Sequence, residues 1–401
     1  MNVIQTLKTT NSDERIIRSK RHITSEESDF IALARILMIS GLVFHHVFTL
    51  TGSGFYPRGG IDVNSAHVAD YLNGIVHWMS MAAVPCLSVI SGYLFFKRDR
   101  VNYSELLHRR ITTVLLPSIA WTSFWFFVAY FAYLWGEGKG VLEWIDYDFE
   151  KIGLGLYVEG VIGISRMPFA YQFWFVHDLV LTFALCPVIG WVMTRFPWVL
   201  PIALIPIWLL DINIFPFFSP NVLFFFTVGV FAATTRFDLT WLLGYLKPLH
   251  WVLALVFIVL ILGRIFQDYH RVLGSYLYLC VLRGVGLLSF IAVVGSVTLS
   301  DNRSLRLLRY LSPFSFFIFA FHYPTLEFIR EVIRQVPGYD TEFGLLVSFF
   351  ILPLSCISIS IAAALGLRWL SPLLFTFVNG GRAGKESEQK STHANGLAVA
   401  R

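Results

Sequence analysis

Ala34-Arg35-Ile36-Leu37-Met38-Ile39-Ser40-Gly41-Leu42-Val43-Phe44-His45-His46 lies within an apolar run from residue 29 to 51. A run of about 20 apolar residues crosses the hydrocarbon layer of a bilayer. This one carries an arginine and two histidines. A charge at the centre of a span costs at least about 2.5–3.5 kcal/mol, so such residues point to function. Arg35 and His46 are eleven residues apart. On an α-helix that is about 16 Å of rise and only about 20° away from three full turns. The two therefore share one stripe, whereas His45 points about 100° away from it.

The rest of the chain has the same character. Of 401 residues, 56% are hydrophobic and 14% charged, against roughly 25% charged in soluble domains. That composition excludes a soluble enzyme, a disordered chain and a disulfide scaffold. It predicts an all-α, polytopic transmembrane helix bundle. About ten spans are expected, near 29–51, 74–96, 111–134, 172–193, 197–213, 219–235, 248–266, 275–298, 311–333 and 343–367. The fifth and sixth are short and contain Pro206, Pro216 and Pro220. The connection 135–171 is too short for an inserted domain and reads as an interfacial segment. The first 28 residues are polar, without the apolar core of a signal peptide. The chain thus divides into a polar N-terminal tail (1–28), a membrane domain (29–370) and a C-terminal tail (371–401) that is disordered towards its end.

Lysine and arginine placement orients the bundle. With the N-terminus in the cytoplasm, the outer segments hold Arg58, Lys139, Lys151, Arg166, Arg264, Arg271 and Arg334. Arg35, Arg283, Arg330 and Arg368 lie within or at the ends of spans, and the remaining basic residues, nearly three times the outer set, fall inside. Both termini are expected in the cytoplasm, and the protein in the cell inner (plasma) membrane as a multi-pass component. The net charge of +5 is spent on topology, so no nucleic-acid partner is expected. Cys86, Cys186, Cys280 and Cys356 sit in apolar stretches without a CxxC or zinc spacing, which reads as buried free thiols. No metal site is expected, and there is no Walker motif, HExxH or GxSxG.

Further polar residues at membrane depth are candidates to line a cavity. Ser91 ends the second span, and Arg109-Arg110 open the third on the same side as Arg35. Several guanidinium groups at one mouth suit an anion with several phosphates. Trp174, His177 and Asp178 begin the fourth span; the last two are adjacent and point to different faces, so they are not an obvious couple. Arg283 in the eighth span needs a partner on another helix or in a water-filled cavity. The ninth span holds His322, Glu327 and Arg330, the last two spaced to neutralise one another at i, i+3.

The order of these pieces resembles the integral-membrane acyltransferase-3 family, which includes many bacterial O-acetyltransferases of surface glycans. The carrying residues are Arg35-x10-His46, Ser91-Gly92-Tyr93-Leu94, Arg109-Arg110 with Pro117 and Trp121, and Phe173-Trp174-Phe175-Val176-His177-Asp178-Leu179. Phe225-Phe226-Thr227-Val228-Gly229 and Phe319-Ala320-Phe321-His322-Tyr323-Pro324 complete the set, which spans about residues 28–370. The resemblance implies an acyl-CoA donor, usually acetyl-CoA, on the cytoplasmic side, with no tightly bound cofactor. It implies a glycan or glycolipid acceptor hydroxyl and an essential histidine at His46, acting as general base or acyl carrier. Arg35, Arg109 and Arg110 would hold the donor. The family's RxxR pattern is incomplete here, because Thr113 follows Arg110 three residues later.

Two other functions fit the same buried charges: a transporter of an anionic or sugar-linked lipid, and a non-catalytic partner of a polysaccharide synthase. The two halves of the chain share no visible sequence similarity, which argues against a repeat-built transporter.

Overall fold

The computed structural model describes residues 23–47, 68–97, 102–135, 149–151, 153–163, 167–212, 218–269, 276–299 and 304–382. The N-terminal tail up to residue 22, the basic residues Arg98 and Arg100, and the tail beyond residue 382 lie outside the described residues. Among the described residues every regular element is helical. In chain order these are α1 (Ser25–His45), α2 (Val68–Ser80), α3 (Ala83–Phe96), α4 (Tyr103–Arg110), α5 (Leu116–Trp135), α6 (Leu154–Ile162), α7 (Trp174–Arg195) and α8 (Val199–Leu209). Then follow α9 (Pro220–Thr234), α10 (Leu239–Leu246), α11 (His250–Tyr269), α12 (Tyr276–Thr298), α13 (Ser304–Leu311), α14 (Ser315–Arg334), α15 (Glu342–Leu370) and α16 (Pro372–Val378).

Seven helical stretches among the described residues are long and apolar enough to cross a membrane, fewer than the ten expected. α8 and α9 are the short pair, flanking a proline-containing connection, and α14 has the length of a span but carries Glu327, Arg330, Glu331 and Arg334. The second expected span is built from α2 and α3, separated at residues 81–82. Beyond α15 one short further helix, α16, folds at residues 372–378. All four cysteines are free and buried, as expected.

α1 is the central helix, packing against α2, α3, α12, α13, α14 and α15. Its start is fixed by sequence chemistry. Thr24 and Glu27 form a reciprocal capping box, each side chain holding the other's backbone N–H at 3.1 Å. Glu27 also accepts from Tyr93 at 2.8 Å and pairs with Lys97, which ties the first turn of α1 to the end of α3. Asp29 pairs with Arg309 of α13 at 2.9 Å.

α3 and α9 are the most closely packed pair, and glycine makes the approach possible. A Cβ at Gly92 would overlap the carbonyl of Phe226, and one at Gly229 would overlap the carbonyl of Val89. Small residues at helix contacts let backbones meet where lipid gives no hydrophobic drive for association. Gly92→Ala or Gly229→Ala is expected to force the helices apart at a cost of about 1–3 kcal/mol. Gly284→Ala, whose Cβ would meet nothing within 4 Å, should leave stability unchanged. Melting of detergent-solubilised protein, followed by size-exclusion chromatography after heating, separates the two outcomes.

Candidate active site

Four imidazoles from three helices form a row across the bundle. His45 closes α1, and His46 is its C-terminal cap. The ring of His45 stacks on His77 of α2 with centroids 4.4 Å apart. His45 and His46 meet edge-on at 4.9 Å. His46 stacks on His322 of α14 at 5.2 Å. The two histidines of α1 therefore face different helices, as their 100° separation requires. His46 also meets Tyr171 and Tyr323, each at 5.4 Å. It is 5% exposed, and His322 is fully buried. Among the described residues no group of histidines, cysteines and carboxylates has metal-holding geometry.

His322 sits in a defined tautomer. Its Nδ1 lies 2.7 Å from the carbonyl of Phe319. A carbonyl only accepts, so Nδ1 carries the proton and donates it. Nε2 is thus a lone-pair acceptor, and among the described residues no hydrogen bond reaches it.

Pro324 organises the surroundings. Proline has no N–H, so the carbonyl four residues earlier in its helix is left without a donor. That carbonyl belongs to Ala320, and it accepts from Trp125 Nε1 of α5 and from Gln172 Nε2, both at 3.1 Å. Gln172 lies in the single 3-10 turn Tyr171–Phe173 that precedes α7. Fixing Gln172 also fixes its neighbour Tyr171 against His46 and, at 5.0 Å, against Tyr323.

The end of α1 is held by charge. Glu327 and Arg330 form the expected pair at 2.7 Å, and both are buried. Arg330 also donates to the carbonyl of His46 at 3.4 Å. A cation there complements the partial negative charge at a helix C-terminus. Asn73 of α2 donates to the next carbonyl, that of Val47.

The arginines expected to hold the donor have different settings. Arg110 precedes a π-helical turn, Ile111–Leu115, and lies over the rings of Phe183 (5.0 Å) and Phe95 (5.7 Å). Arg35 is half-buried, and among the described residues no carboxylate pairs with it. Arg109 lies in the last turn of α4, and its carbonyl accepts from Thr112 at 3.0 Å and Thr113 at 2.7 Å.

Several expected cavity residues have other partners. Ser91 satisfies the carbonyl of Leu87 in its own helix at 2.7 Å. Trp174 starts α7 beside Phe175. His177 and Asp178 do approach, contrary to expectation, with Nδ1 and Oδ1 3.5 Å apart. Flexible side chains on adjacent residues bridge the angle between their faces. The second oxygen of Asp178 accepts from the backbone of Ser219 at 2.9 Å, the residue that caps α9. Arg283 lies outside the imidazole row and donates to Asn221 at 3.0 Å and Tyr276 at 3.1 Å. Arg264, placed outside the membrane by charge counting, is 6% exposed within α11 and lies over Trp78 at 4.8 Å.

Four buried imidazoles thus gather at one end of the central helix α1, and Arg35 lies nearer its other end. The chain belongs to the acyltransferase-3 family: residues 28–367 match the family described as "Acyltransferase domain". It is accordingly an acyltransferase of the class that transfers groups other than aminoacyl groups. It is 27% identical over 362 residues to the succinoglycan biosynthesis protein ExoH of Rhizobium meliloti (strain 1021), covering 88% of this chain and 92% of that protein. No solved structure matches the chain.

The pair Glu327–Arg330 generates a test of this architecture. Arg330→Met should destabilise the protein by about 3–5 kcal/mol, because it strands a buried carboxylate and frees the carbonyl of His46. Adding Glu327→Gln should recover part of that loss. A double variant that melts at the sum of the two single losses would show that the pair is not coupled.

Proposed function

We propose that the protein transfers an acyl group, acetyl first among them, from acyl-CoA to a hydroxyl of a glycan or glycolipid that is exported or displayed at the cell surface. The observation that carries this reading is the seating of His46. It is buried at the meeting of α1 and α14, between His322, Tyr171 and Tyr323, on the helix stripe that also bears Arg35. The name of the relative, a succinoglycan biosynthesis protein, supports a polysaccharide acceptor.

In this mechanism His46 takes the proton of the acceptor hydroxyl. The oxygen attacks the thioester carbonyl, the C–S bond breaks, and the imidazolium returns the proton to the departing thiolate. Arg35 and Arg110, with Arg109 beside them, bind the donor's phosphates. The distance of about 16 Å along α1 is spanned by the flexible arm of CoA. The phosphates would then lie at the cytoplasmic mouth and the thioester near the histidines. His322, stacked on His46, holds the plane of its ring. In this reading both termini are cytoplasmic and the protein resides in the inner membrane.

Labelled acetyl-CoA supplied to membranes containing the protein should yield acylated glycan. His46→Ala is expected to lower transfer by about 10²–10⁴-fold while leaving CoA affinity near wild type. His45→Ala, facing α2, should be much milder. Arg35→Gln or Arg110→Gln should weaken CoA binding by at least about tenfold, the scale of one charge-assisted hydrogen bond. Wild-type transfer by both histidine variants would remove the imidazole from the chemistry. A cytoplasmic reporter should be active when fused at Arg401 or near Arg100 and silent near Glu143; activity near Glu143 would overturn the orientation.

A further inference from the structure

We propose that Asp211, Tyr276 and Arg283 form a binding subsite for a sugar residue, set apart from the imidazole row. That the sugar belongs to the acceptor rests on the function proposed above; the subsite itself does not.

The cluster is built on the ends of three helices. Trp208 lies in the last turn of α8, Asn221 in the first turn of α9, and Tyr276 opens α12 with Arg283 two turns further on. In the first half of α12 the exposed positions are Leu277, Val281 and Leu288. Arg283 follows Val281 by two residues, about 200° around the helix, so it leaves the lipid face and enters the bundle. A charge in a membrane helix is costly, and among the described residues no carboxylate forms an ion pair with this one.

Hydrogen-bond polarity fixes what the cluster can still offer. Trp208 Nε1 (2.7 Å) and Arg283 (3.0 Å) both donate to Asn221 Oδ1. Neither can accept, so the Asn221 amide has one orientation. Its Nδ2 then donates to Ser219 Oγ at 3.2 Å and to the Tyr276 hydroxyl at 3.4 Å. The terminal nitrogen of Arg283 that holds Asn221 also donates to the Tyr276 hydroxyl, at 3.1 Å. The Tyr276 oxygen thus receives two donors, and its own proton goes to a third group. That group is the carboxylate of Asp211. The end of α8 brings Asp211 there: its N–H and the Cys280 thiol of α12 both donate to the Trp208 carbonyl, at 3.4 and 3.7 Å. Its φ is +51°, a left-handed conformation that aspartate adopts more readily than most residues and that clusters at ligand sites.

What remains is mixed in character. Arg283 keeps Nε and its second terminal nitrogen, which make no hydrogen bond among the described residues. The exposed Asp211 carboxylate keeps lone pairs. A simple anion is repelled by the carboxylate, and a simple cation by the guanidinium. Sugar hydroxyls donate and accept at once, so a neighbouring pair satisfies both groups. Trp208, half-buried and stacked on Phe224 at 4.6 Å, supplies an aromatic wall beside them. The network also reaches the imidazole end of the bundle. Ser219 donates its N–H to Asp178 at 2.9 Å, and Asp178 lies seven residues after Tyr171, the ring that meets His46. One sugar at Arg283 and another at His46 would belong to the same glycan chain.

The test uses purified full-length protein in phosphatidylcholine nanodiscs and oligosaccharides cleaved from the source cell's own surface glycan. Binding is read by saturation-transfer-difference NMR, transfer with radiolabelled acetyl-CoA, and folding by melting temperature. Asp211→Asn and Arg283→Gln should each weaken oligosaccharide binding and raise the acceptor KM by about tenfold or more, the scale of one hydrogen bond to a charged group. The KM for acetyl-CoA should stay at wild type. If Arg283→Gln fails to fold, Asp211→Asn decides alone, because its side chain is exposed and keeps its shape. Tighter binding in Asp211→Asn with a loss in Arg283→Gln would identify an anionic ligand and overturn the sugar assignment. Wild-type acceptor KM in both variants, with transfer intact, would refute the subsite and leave the acyl-transfer reading standing. Binding that the wild type shows and both variants lose, without any transfer, would leave the subsite standing and remove the acceptor reading. Absence of oligosaccharide binding by the wild type would refute the subsite.

Discussion

At membrane depth there is no water to satisfy a backbone carbonyl, so each one left without a helical donor must find a side chain. Much of this protein's architecture follows from a few such carbonyls. Two close α1, where Arg330 reaches His46 and Asn73 reaches Val47. One is released by Pro324 within α14, and it draws in Trp125 and Gln172. Others, at Pro313 and Val378, anchor Asn379 and Trp121. Each contact joins two elements, and those made by Arg330 and Gln172 lie beside the rings around His46.

Charge is distributed unequally along α1. At its start, carboxylates on the helix meet Lys97 and Arg309 from neighbouring elements. At its end the arrangement is reversed: α1 supplies a carbonyl, while α14 supplies both the cation and its counter-ion. Between them, Arg35 faces inward without a carboxylate partner among the described residues. One helix thus carries both ends of the candidate reaction path, and its rigidity sets their separation. An α-helix is well suited to this, since its rise per residue leaves little freedom in length.

The helical class, the membrane setting and the Arg35–His46 stripe were legible in the sequence because they depend on composition and on a fixed helical period. The Glu327–Arg330 pair was legible for the same reason. His77 was not, because an isolated histidine in an apolar run gives no sign of which helix it will meet. Tyr171 and Gln172 had the look of an interfacial belt, and only the carbonyl released by Pro324 shows why they turn inward. A proline four residues beyond a potential acceptor is a signal that sequence reading can use. The pairing of His177 with Asp178 and the burial of Arg264 depend on rotamers and neighbours that no periodicity encodes. Seven of the ten expected spans meet the length and apolarity of a crossing helix among the described residues; α14 has the length but carries internal ion pairs, and α8 and α9 are short.

The partners of α1 also set an order on assembly. Among the described helices this one is made earliest, bearing Arg35, His45 and His46, yet Arg330 and His322 are made nearly 300 residues later. Until α14 arrives, the carbonyl end of this helix lacks Arg330, and His46 lacks His322. Its insertion is therefore a biogenesis problem distinct from the stability of the finished bundle. A chain stalled before α14 would present the quality-control machinery with an intramembrane polar face, the feature by which an orphaned span is distinguished from a completed one.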